Sequence, residues 1–317
     1  MACALASAPA RSETLLALAG ITDATNDPSN TYGWQLEFQE PVSRQLDASL
    51  SWLNEGHALG HHRDGLATQL WLGVPVWRNR MEFNFGVGPY FYFDTQQEST
   101  ARGYSDVHSV AGLASASLSL NITPSWFMIL RVNGIYAPGD VNSIGLLVGG
   151  GYHFGRSERA PWGVGSESDG SPPFARQQIQ LFAGEMIYNE LNSHQDRTVG
   201  LEYRLALVPW AAWSASWFHN VGGTSGQREQ IASQLWLVDS VLGGRLSLSA
   251  GVGVYTPLGA QPPGQESSAA LSGLSGLRVE WCWSRNSSVM MTWYRSFTND
   301  DDDRDIITLG YGLRFGG

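Results

Sequence analysis

The sequence repeats itself, and this limits the fold more than any other feature. At a constant offset of 165 and without gaps, Leu36, Glu37, Ser49, Ser51, Trp52, Arg63, Ala67, Gln69, Leu70, Trp71, Leu72, Arg80, Gly86, Val87, Gly88 and Tyr90 recur as Leu201, Glu202, Ser214, Ser216, Trp217, Arg228, Ala232, Gln234, Leu235, Trp236, Leu237, Arg245, Gly251, Val252, Gly253 and Tyr255. Such self-similarity marks a tandem duplication. The copies diverge after Tyr90 yet close alike, as LLVGGGYHF and ITLGYGLRF. Whatever one half folds into, the other must be able to form as well.

Within a copy the signal is two-residue alternation. In RMEFNFGVGPYFYFD, Arg80 to Asp94, one face carries Met81, Phe83, Phe85, Val87, Phe91 and Phe93, and the other Glu82, Asn84, Gly86, Gly88, Tyr90 and Tyr92. Strand side chains alternate between faces, so one face is apolar and the other polar, small or phenolic. Strand-like runs fall near 13–22, 32–40, 45–54, 65–77, 80–94, 110–121, 125–136 and 143–154, separated by turn-rich segments. The connectors alternate between long (DATNDPSN, EGHALGHHRD, QQESTARGYSDVH) and short (PVSRQ, WRNR, NITPS). A membrane barrel has this rhythm, with the apolar faces turned outward to lipid. A Greek-key sandwich has no reason to keep it.

Composition agrees. Charged residues make up 15% of the 317, against about 25% in an average soluble domain, while 37 glycines, 13 tryptophans and 11 tyrosines are generous. No apolar run approaches the roughly 18 to 20 residues of a membrane helix, so insertion requires a closed barrel. A net charge of −10, with no basic stripe in the chain, argues against a nucleic-acid surface. Cys3 and Cys282 are too far apart in sequence and context to suggest a disulfide or a metal motif. Residues 1–12 read as a signal-peptide remnant or disordered tail, 13–155 and 177–317 as the two repeats, and 156–176 as a linker.

The glycine-rich endings with a terminal aromatic, GGGYHF and GYGLRF, resemble the closing strand of bacterial outer-membrane β-barrels, and each unit resembles the small eight-stranded barrels of that envelope. The resemblance implies an all-β, transmembrane, antiparallel up-and-down architecture in the outer membrane, and partners among outer-membrane lipids, including lipopolysaccharide, and the barrel-assembly machinery. Sixteen strands could close as one wide barrel or two narrow ones. The linker and the inward Trp71, Trp236, Tyr90, Tyr92 and Tyr255 favour two, because eight-stranded barrels are filled by side chains.

Few residues suggest chemistry. Glu55, His57, His61, His62 and Asp64 cluster in NEGHALGHHRD, where imidazoles and carboxylates would suit zinc or nickel. Their spacing matches no metal motif, and the second copy has NVGGTSGQRE instead; a solvated surface loop is expected, with the pairs Arg63–Asp64 and Arg228–Glu229 fixing it to a strand end. Asp300, Asp301, Asp302 and Asp303 form an acidic loop able to attract a divalent cation, although such runs are usually solvated loop tips. Glu37, Glu82, Glu202, Arg278 and Glu280 are expected inside the barrels. His219 faces lipid as an interfacial anchor. The barrel hydrolases that this scaffold resembles place a histidine and a serine two apart, and none of the seven histidines is followed by that pattern. The expectation is a non-catalytic structural or surface-binding barrel without a cofactor. A passive pore and a lipid acyl hydrolase are the alternatives.

Overall fold

A computed structural model describes residues 12–24, 30–43, 45–58, 61–77, 80–97, 103–154, 177–189, 195–221, 229–258, 271–284, 286–298 and 303–315. The first unit contains β1 (Thr14–Ala24), β2 (Thr31–Pro41), β3 (Leu46–Ala58), β4 (His61–Val76), β5 (Met81–Gln97), β6 (Tyr104–Asn121), β7 (Trp126–Tyr136) and β8 (Ser143–His153). Each strand neighbours the next, and β1 returns to β8 in a register running from Thr14↔His153 to Ala24↔Ser143. The second unit contains β9 (Gln177–Tyr188), β10 (Gln195–Val208), β11 (Ala211–Val221), β12 (Glu229–Val241), β13 (Leu246–Leu258), β14 (Ser272–Cys282), β15 (Ser287–Phe297) and β16 (Arg304–Phe315). Here β16 closes on β9, from Arg304↔Tyr188 to Phe315↔Gln177. The chain therefore forms two eight-stranded barrels, not one ring of sixteen. Closure leaves neither unit an open sheet edge, which is the condition for backbone to lie in lipid.

The alternation sets which way each strand turns. On β8, Ile144, Leu146 and Val148 are exposed while Leu147 between them is buried; on β5, Phe85 and Val87 are exposed while Tyr90 and Tyr92 are buried. The second barrel follows suit, with Leu235, Leu237, Val252 and Leu309 outside and Trp236 inside. A soluble monomer rarely exposes apolar surface on this scale. At the short-turn end the first barrel exposes Trp77 and Trp126, and the second exposes Trp210 and Trp283; Tyr32 and Tyr136 are exposed toward the opposite rim of the first. Apolar belt, flanking aromatics, even strand number and one end of short turns together define outer-membrane-type barrels.

One expected loop is not a loop. Glu55 to Ala58 prolong β3 and His61 to Asp64 begin β4, so EGHALGHHRD is mostly strand. The pairing slips between Asn54 and Gly56, and Gly56, opposite Arg63, takes a φ of 78°. A positive φ at a bulge favours glycine, so a residue that reads as a strand breaker here lets the hairpin continue. β6 likewise begins at Tyr104, ahead of the expected 110. The proposed linker 156–176 and nearly all of the 1–12 segment lie outside the described residues.

Candidate functional site

The lower part of each interior is filled. In the first barrel Glu37 and Arg131 are both fully buried, and Arg131 donates from both terminal nitrogens to the Glu37 carboxylate at 2.9 and 3.0 Å. Arg131 and Asn133 both donate to Gln35 Oε1, and Ser115 links Asn133 to Gln69. In the second barrel Arg278 donates to Glu202 at 2.7 and 2.9 Å, and Gln180 and Ser216 add further bonds to that carboxylate. Glu280 accepts from Gln178 and Arg314, each at 2.7 Å. Buried charges are tolerated only when paired and bonded in this way. Of the expected interior residues, Glu37, Glu202, Arg278 and Glu280 lie within these networks, and Glu82 is half-buried near the short-turn end of β5.

Packing in this layer pairs large residues with small ones. Trp71 donates to Ser49 Oγ, and Trp236 donates to Ser214 Oγ. Gly86 and Gly251 lie against these indoles: a Cβ at either position would come within 2.6 Å of a ring atom. Eight strands leave room for such side chains and little else.

The long-connector end of the first barrel has a different character. Arg63, inward on β4, donates to Glu55 at 2.6 and 2.7 Å and to the Val141 carbonyl at 2.6 Å. Ser143 also donates to Glu55. The Arg63 guanidinium lies 5.2 Å from the centroid of the Tyr92 ring. Tyr92 in turn donates to Asp140 Oδ2 at 2.8 Å. Nearer the rim, His61 Nδ1 is 2.8 Å from Asp94 Oδ2, which also accepts from Gln96 at 2.9 Å. One ligand atom from each of His61, Asp94 and Asp140 lies within 4.8 Å of the others. Three elements supply this group: the first residue of β4, the outer end of β5 and the β7–β8 connector.

The expected five-residue cluster is thus divided. Glu55 and His61 face the interior. His57 and His62 pair across the two strands on the other face, with ring centroids 4.1 Å apart, and Asn54 Nδ2 lies 3.3 Å from His62 Nε2. Asp64 is on that outer face too, opposite in direction to Arg63, because consecutive strand residues point apart. The acid that Arg63 engages is Glu55 on the neighbouring strand. Arg228 lies outside the described residues, and Glu229 approaches His219 Nδ1 at 3.9 Å.

In the second barrel Asp300, Asp301 and Asp302 lie outside the described residues. Asp303 is no solvated loop tip: it is 1% exposed and accepts from the Thr298 backbone N–H at 2.8 Å. Sequence reasoning overlooked Asp94, Asp140 and Arg131. Asp94 continues the inward phase of Tyr90 and Tyr92 and was within reach of the same alternation; Asp140, in a turn, carried no periodic signal.

No protein-family model and no curated protein matches the sequence. Among solved structures, the N-terminal β-barrel domain of Pseudomonas aeruginosa OprF aligns with 45% of this chain and 97% of its own, at 10% identity and a TM-score of 0.35. Ail, the attachment invasion locus protein of Yersinia pestis, aligns with 45% of this chain and 99% of its own, at 11% identity and a TM-score of 0.35. Neisserial surface protein A (NspA) aligns with 44% of this chain and 96% of its own, at 9% identity and a TM-score of 0.36.

Proposed function

We propose that the chain is a non-catalytic outer-membrane protein in which two plugged barrels hold surface-exposed connectors for a structural or binding role. The observation that carries this reading is the filled interior, in which Glu37–Arg131 and Glu202–Arg278 cross the barrel between strands that are not neighbours, with their guanidiniums beside Trp71 and Trp236. A passive pore needs a continuous aqueous path, and a charged, hydrogen-bonded layer across an eight-stranded barrel obstructs it. Separate closure of the two units removes the wide ring that the pore alternative required. The lipid belt makes outer-membrane lipids, including lipopolysaccharide, the natural neighbours, and barrel-assembly machinery the route of insertion.

Planar-bilayer recording of the refolded full chain tests the reading: no steady single-channel current is expected. A stable conductance that Arg131→Ala alters would replace it with a pore. An epitope inserted after Gly139 is expected to be reachable on intact cells, and lipid A from cells with and without the protein should have the same mass profile. A deacylated product would move the function to a lipid hydrolase.

A further inference from the structure

The geometry points to a divalent transition-metal site at the outer end of the first barrel, made by His61, Asp94 and Asp140, with zinc the best-suited ion. The residue types select the metal class. One imidazole and two carboxylates suit zinc and its neighbours, whereas calcium and magnesium prefer oxygen alone.

The second observation is the state of Asp94. Its side chain is 1% exposed, and only one of its oxygens is served: Oδ2 meets His61 and Gln96, while Oδ1 is buried with no hydrogen-bond partner. A buried carboxylate oxygen left without a donor is costly. A histidine–aspartate hydrogen bond satisfies Oδ2 and leaves that cost in place. A cation bound by the carboxylate compensates the charge on both oxygens.

Ligands around tetrahedral zinc, at about 2.0–2.2 Å from the ion, lie roughly 3.4 Å from one another. The three candidate atoms are within 4.8 Å, so side-chain shifts on the order of 1 Å would close the site. The supports are present as well. Tyr92 donates to Asp140 Oδ2, the Val141 N–H donates to its Oδ1, and Gln96 orients Asp94. His61 is 29% exposed, which leaves a route for the ion and a fourth position for water or a bound group. Metal there would tie the β7–β8 connector to the tips of β4 and β5.

The test uses the untagged full chain, refolded in detergent micelles and stripped of metal. Cobalt(II) titration followed by visible absorption, with zinc competition, should reveal one saturable equivalent and ligand-field bands of a four- or five-coordinate site. Asp94→Asn, Asp140→Asn and His61→Ala should each weaken binding by more than tenfold. Tyr92→Phe, which removes only a support, should weaken it by about tenfold. The double variant His57→Ala/His62→Ala should bind as the parent does. Asp140 lies in a connector, so its variant remains informative if the Asp94 variant fails to fold, as judged by heat-modifiable migration. Absence of saturable binding in the micromolar range would overturn the assignment. So would affinity unchanged by Asp140→Asn, or affinity lost in the His57/His62 variant.

Discussion

The Arg131 guanidinium lies 4.4 Å from the centroid of the Trp71 ring while both of its terminal nitrogens bond Glu37. Arg278 repeats the arrangement over Trp236 at 4.6 Å, with Glu202 as the acceptor. The tryptophans and glutamates are duplicate positions, but the arginines are not: Arg131 is on the seventh strand of its barrel and Arg278 on the sixth of its own. Both barrels place a cation between that indole and that carboxylate, and they supply it from different strands.

Removing only the cation should therefore be severe. Arg131→Met leaves the Glu37 carboxylate buried and unpaired, a change expected to cost about 3–5 kcal/mol. The double variant Arg131→Met/Glu37→Leu should recover much of that loss. Urea unfolding in lipid vesicles measures both, and a loss below about 1 kcal/mol for the single variant would contradict the coupling.

Size matters as much as charge at Gly86. With its Cβ directed at the Trp71 ring from 2.6 Å, Gly86→Val must displace an indole that is held by Ser49. A destabilisation of about 1–3 kcal/mol is expected, and the same for Gly251→Val beneath Trp236. Gly112→Ala is the control, because its nearest neighbour would be 3.9 Å away; equal effects at Gly86 and Gly112 would exclude overpacking as the cause.

Alternation made most of this fold readable. Phe85, Val87, Tyr90 and Tyr92 declare their faces from sequence, since a one-residue slip would exchange lipid and interior. The duplication likewise singled out Trp71, Gly86, Ser49 and Glu37, which prove to be touching parts of one plug. Arg131 was not legible, because the position offset by 165 is Ser296 and the repeat gives no hint of a partner there. The hairpin of β3 and β4 was hidden by its composition: histidine and glycine suggest a loop, and only the cross-strand pair Arg63–Glu55 and the bulge at Gly56 reveal a strand. Asp140 owes its place near His61 to ring closure, which brings a distant connector over the tips of β4 and β5, and no local pattern encodes that.

The lipid register can be tested by charge. Phe85 on β5 and Leu309 on β16 are 53% and 68% exposed and lie near the middle of the apolar belt. Replacing either with arginine should cost about 2–4 kcal/mol at the bilayer midplane. Asn84→Arg turns inward, so it should be limited by interior space and not by bilayer depth. Refolding in bilayers of increasing thickness should worsen the Phe85 and Leu309 variants and leave the Asn84 variant's deficit unchanged; a common response would refute the assigned faces.

Closure of each ring makes the last prediction. β1 pairs with β8 over the whole length of both strands, and β9 pairs with β16 in the same manner. Every strand in one unit thus finds its two neighbours within that unit, and lipid demands no more of a barrel. A fragment of residues 1–155 and another of residues 175–317 should each refold alone in micelles as a heat-modifiable, protease-resistant monomer. Each should keep its own plug, so Arg131→Met should destabilise the first fragment by the same amount as the full chain, and Arg278→Met should do so in the second. Were closure to depend on the other copy, each fragment would carry two open edges and should aggregate or pair with a second fragment. Native mass spectrometry separates these outcomes: monomers are expected, and an obligate dimer would mean that the barrels do not close independently.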